Sequence, residues 1–213
     1  MKKFVWLIGL MFSMNVAFAE NNAVDVAVEK LQHEWAIANY KTAENRQEDA
    51  FKALSELAHQ MSANHPGQAE LLVWEAIITS GYAKAKGGIG ALSLAEAARD
   101  LLLKAEAINP QALHGSIYTT LGSLYYKVPG WPLGFGDKKK ARAYLEKALK
   151  MNPSGIDPNY FYADYLLNRH DYAKAIDYYK KALSAPARVG REDADAGRRN
   201  EIIEGLKEAE AGL

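Results

Sequence analysis

Apolar positions recur along the chain at spacings of three and four, the period of a helix buried on one side. In "LAEAARDLLLKAEAINP" they are Ala98, Leu102, Ala105 and Ile108, ahead of Pro110. In "DKKKARAYLEKALKMNP" they are Ala141, Leu145, Ala148, Leu149 and Met151, ahead of Pro153. "HDYAKAIDYYKKAL" repeats the pattern with Ala175, Ile176, Tyr179, Ala182 and Leu183. Small residues on one helical face let a neighbouring helix approach closely, and the prolines stop the helices that they follow.

A second helix of similar length precedes each of these, over Ala69 to Ala85, Ala112 to Lys127 and Asn159 to Asn168. In the middle one, Tyr118, Leu121, Gly122 and Tyr125 place a large residue, a hole and an aromatic along one stripe. An earlier pair is predicted over Val24 to Lys41 and Glu48 to Ala63. One helical pair cannot bury its own apolar face, so the pattern predicts an all-α stack of about four pairs. The charged segment 191–213 carries Ile202, Ile203 and Leu206 on a single stripe and is predicted to cap the stack.

The positions Tyr118, Leu121, Gly122, Tyr125, Ala141, Leu145, Ala148 and Pro153 resemble the tetratricopeptide repeat (TPR), with the clearest repeats over 67–184. That resemblance implies a helical-hairpin solenoid that binds proteins. A narrower similarity is to the TPR component of tripartite ATP-independent periplasmic (TRAP) transporters, which implies a solute pore or a helper to a solute-binding protein. Members of that group are commonly lipid-anchored through a cysteine, and this chain has none.

The first residues bear on compartment. Lys2 and Lys3 precede the apolar run Phe4 to Phe12, and Ala17-Phe18-Ala19 is a cleavage pattern, so residues 1–19 read as a signal peptide and 20–213 as one exported domain. The run is too short to span a bilayer, so no stable membrane insertion is expected after cleavage. The remaining 194 residues carry 24 basic and 26 acidic side chains, which gives no reason to expect nucleic acid as a partner. The lack of cysteine rules out disulfides and thiol chemistry, and an exported protein of this composition must hold itself together by its core. The expected location is the periplasm.

Two segments interrupt the helical pattern. "KVPGWPLGFG" spans 127–136, and "KAKGGIGALS" spans 84–93. Turns within successive hairpins leave the stack on the same edge, so the two segments are predicted to be neighbours. The prolines restrict the first, whereas Gly87, Gly88 and Gly90 leave the second conformationally free. Trp131 and Phe135 either line a partner-binding edge or fold back to plug the stack. With Tyr126 and the three glycines they form the candidate site for a protein or peptide, or for a small apolar solute.

Chemical motifs do not complete themselves. "HEWAI" has His33 and Glu34, but Ile37 stands where a zinc protease needs its second histidine. "GGIG" lacks the spacing of a dinucleotide loop, and no Gly-x-Ser-x-Gly elbow occurs. No cofactor or metal is expected, and the chain reads as a binding module rather than an enzyme. A rival enzymatic site would have to draw on His33, Glu34 and the arginines of 188–199. Those arginines, Arg188, Arg191, Arg198 and Arg199, lie among Glu192, Asp193 and Asp195, and are expected to pair internally, or else to clamp a carboxylate or phosphate.

Overall fold

The computed structural model describes residues 22–213, and the leader read at 1–19 lies outside them. Helix α1 covers 22–36 and runs on through a π-helical turn, Ile37–Lys41. It is followed by α2 (Glu44–Asn64), α3 (Ala69–Lys86), α4 (Gly88–Ile108), α5 (Ser116–Lys127), α6 (Lys138–Met151), α7 (Ile156–Asn168), α8 (Tyr172–Leu183) and α9 (Glu192–Ala211). Four hairpins, α1/α2, α3/α4, α5/α6 and α7/α8, stack in chain order, and α9 packs on the last. The fold is an all-α, TPR-like solenoid.

The small residues of the repeat sit where helices meet. Ala98, Leu102 and Ala105 of α4, Ala141, Leu145 and Ala148 of α6, and Ala175 and Ala182 of α8 are fully buried. Gly122 of α5 faces Leu145 so closely that a Cβ there would stand 2.5 Å from Leu145 Cγ. The core is continuous from α3 to α9, and a second cluster joins Leu31 of α1, Phe51 of α2 and Trp74 of α3. Ile77 and Leu113 touch both.

One expectation is corrected. The segment 84–93 does not form a flexible loop: α3 runs to Lys86, α4 begins at Gly88, and the connection is Gly87 alone. Gly87 and Gly88 have φ of 62° and 59°, and this left-handed junction ends one helix and starts the next. The extra residues lengthen the hairpin, so α3 and α4 have 18 and 21 residues where α5 to α8 have 12 to 14. Glycine density signalled a loop, but Leu92 and Arg99 of the lengthened α4 find packing partners in the neighbouring hairpin, and that contact favours helix.

Candidate functional site

A curved stack offers a concave surface as its default binding groove. Here α9 and the turn before it pack across first helices of the hairpins. Arg198 is buried beneath the rings of Tyr160 and Phe161 of α7, at 4.3 and 4.7 Å, and its Nε donates to Asp157 at 2.9 Å. Arg191 lies over Trp74 of α3 at 5.2 Å. Tyr40, at the end of α1, packs on Gly197 and donates to Glu201 at 3.1 Å. The segment 191–201 therefore touches α1, α3 and α7, which are three of the four first helices of the hairpins.

Three arginines of the segment, Arg188, Arg198 and Arg199, pair internally, whereas Arg191 forms no ion pair among the described residues and its buried Nε has no hydrogen-bond partner. The guanidinium of Arg188 bridges Asp195 and Asp157, and Arg199 donates to the carbonyls of Leu183 and Ala185. Burial opposes ionisation of Asp157, but the Arg198 and Arg188 charges outweigh it and hold the carboxyl down at about 2. Asp157, in "GIDPN", joins this network from α7, and nothing in its sequence context marked it.

The 127–136 loop is closed on itself. Gly136 N donates to Pro129 O at 2.9 Å, Gly134 N to Gly130 O at 3.2 Å, and Asp137 N to Tyr125 O at 2.8 Å. A Cβ on Gly136 would fall 2.0 Å from the Val128 carbonyl oxygen, so the closure needs glycine there. Asp137 then caps α6, accepting from the backbone N–H groups of Lys139 and Lys140. These hydrogen bonds, that from Lys140 foremost, lower the Asp137 pKa.

The two aromatics of the loop divide. Phe135 turns inward, edge-on to Tyr125 at 5.5 Å, with the Arg99 guanidinium 4.5 Å over its ring. Trp131 stands outward at 90% exposure, with Leu133 beside it in the chain at 73%. Gly134 lies against Leu92 of α4, so the two interrupting segments meet as expected. Ile89, three residues before Leu92 and hence on the same helical face, is fully exposed. Trp131, Leu133 and Ile89 make this edge apolar. Gly87, Gly88 and Gly90 lie at the junction of α3 and α4 and in the first turn of α4, beside this edge.

Tyr126 lies beneath the edge. Its hydroxyl donates to Asp164 of α7, and Lys127 pairs with the same carboxylate at 2.8 Å. Burial and the Asp164 charge push the Tyr126 hydroxyl well above its ordinary pKa. The foot of the loop is thus fastened to the next hairpin.

Other groupings do not assemble chemistry. His33 is exposed, while Glu34 lines a cleft of about 300 Å³ with Thr42, Leu54 and Leu57, away from the arginine network. His59 and Ser62 both bond Glu75, and the serine hydroxyl donates to the glutamate and not to the histidine, so the three do not form a serine–histidine–acid relay. No group of three or more potential metal ligands occurs among the described residues. No helix among them is long and apolar enough to cross a membrane.

No protein-family model matches the chain, and no curated protein matches it in sequence. Among solved structures it is similar to a thermophilic TPR protein of Thermus thermophilus, with a TM-score of 0.57 and 16% identity over 88% of this chain and 99% of that one. That likeness shows the fold to be a TPR-like all-α helical repeat.

Proposed function

We propose that this protein is an exported, non-enzymatic interaction module that holds a protein or peptide partner against the edge formed by the 127–136 loop and the start of α4. The observation that carries the reading is the division of labour in one loop: Phe135 anchors it and Trp131 is presented at 90% exposure. A loop already closed by its own hydrogen bonds loses little further freedom on binding, which favours affinity. The packing of 191–201 on the first helices of three hairpins leaves this edge as the more open surface. The leader pattern supports a periplasmic location, and a helper role to a solute-binding protein is a narrower case of the same activity.

Trp131→Ala tests the reading. Immobilised protein exposed to periplasmic extract is expected to lose its partner on this substitution, because truncating an aromatic anchor at an interface commonly costs about 2 kcal/mol or more. The thermal midpoint is expected to move little. A sharp fall in the midpoint with undiminished capture would make the loop a structural plug and overturn the proposal.

A further inference from the structure

We infer that the partner held at this edge presents an acidic segment around an apolar residue; the inference rests on the binding reading above and gives its chemistry. Residues 84–96 and 127–140 together contain six lysines and two acids, in a chain whose basic and acidic residues balance overall. Lys138 and Lys139 are exposed and, among the described residues, neither forms an ion pair. They occupy the first turn of α6, directly after the loop that carries Trp131 and Leu133.

That placement runs against the needs of the fold. The N-terminus of a helix carries partial positive charge and favours acids; the Asp137 cap supplies one, but the three lysines that follow it, Lys138 to Lys140, leave the first turn with net positive charge. An incoming acidic group would relieve the unfavourable charge and gain the lysines as partners. The exposed apolar side chains Trp131, Leu133 and Ile89 supply the seat for one apolar residue amid those charges.

The extent of the patch favours a peptide-sized partner over a lipid surface. Turns within all four hairpins project from the same edge, and a flat anionic bilayer would meet all of them. The first turns of α2 expose Glu44, Glu48 and Asp49, and α8 begins beside Asp171. Cations stand there too, Arg46 on the first turn of α2 and Arg169 and Lys174 around Asp171, so the outer turns carry mixed charge while the largest excess of lysine lies on the two middle hairpins.

The test places a photo-reactive benzophenone amino acid at Ser93, an exposed position one turn beyond Ile89, in the full chain within producing cells. The cross-linked partner peptide is identified by mass spectrometry. The expected adduct carries more Asp and Glu than Lys and Arg. Its yield should fall about fivefold or more in Lys138→Glu/Lys139→Glu and in raised salt, and recover in Lys138→Arg/Lys139→Arg. The thermal midpoint of the Glu pair should stay level or rise, which separates lost binding from lost folding. An adduct on a neutral or basic segment, or one that Trp131→Ala abolishes while the Glu pair leaves it intact, would overturn the charge inference and leave the binding edge standing. Adducts on lipid alone would replace the peptide with a membrane surface, and no adduct of any kind would take down both readings.

Discussion

Gly122 gives the sharpest test of how the hairpins are packed. A Cβ at this position of α5 would stand 2.5 Å from Cγ and 2.8 Å from Cδ2 of Leu145, and 3.2 Å from the carbonyl oxygen of Ala141. Leu145, Ala141 and Ala148 are all fully buried, so the leucine has no open space to swing into. Overfilling such a site costs about 1–3 kcal/mol, and a backbone atom among the obstacles places Gly122→Ala in the upper half of that range. Alanine returns about 1 kcal/mol through helix propensity. The net loss is then about 1–2 kcal/mol, which for a chain of this size lowers the thermal midpoint by about 2–8 °C. Far-UV circular dichroism during heating and urea titration measures both quantities. Adding Leu145→Ala should make room, so that the double variant loses less than the two single losses combined. A midpoint that stays level or rises in Gly122→Ala would show that propensity alone operates and that α5 and α6 are not in close contact.

The remaining predictions address the loop, the inner network and export. Phe135→Ala should cost about 2 kcal/mol of stability, since its ring is packed on Tyr125, while Trp131→Ala should stay within about 0.5 kcal/mol; equal losses in denaturant midpoints would contradict the division between them. Asp157 has its carboxyl lowered from 3.8 to about 2, so its contribution is fully present above about pH 4 and is lost as pH falls through about 2. That shift corresponds to about 2 kcal/mol, and Asp157→Asn should remove this part of the acid limb from the stability profile; an unchanged profile would deny the carboxylate its place between Arg188 and Arg198. Intact-mass measurement of the periplasmic fraction should find a chain beginning at Glu20, and a mature chain retaining Met1 would end the export reading.

The all-α repeat was legible because its cause is local. Ala98, Ala105, Ala141, Ala148, Ala175 and Ala182 carry the helical period in the chain itself, and each of them is buried at a helix contact. The closeness of the two interrupting segments followed from the regular geometry of stacked hairpins. The error over 84–93 arose because glycines read the same whether they make a loop or a one-residue junction between long helices. Only the contact of α4 with the neighbouring loop separates those outcomes.

The candidate edge was legible in composition but not in orientation. Nothing along "KVPGWPLGFG" distinguishes Trp131 from Phe135 as the residue that faces outward. The loop's closing hydrogen bonds and the position of Tyr125 decide it, and these are set only once α5 and α6 have paired. The placement of α9 is farther still from the reach of sequence. Its amphipathic stripe predicted a cap, yet the bonds that fasten its first half to α7 and to the end of α1 join residues far apart in the chain, Arg198 to Asp157 and Tyr40 to Glu201. Helix period and breakers are properties of neighbouring residues, so the chain alone carried the all-α repeat; of the stripe expected on the last helix, Ile202 is buried but Ile203 is exposed. Which helices α9 lies against depends on how the hairpins stack on one another, so only the tertiary structure set Arg198 on Asp157 and left Trp131 exposed.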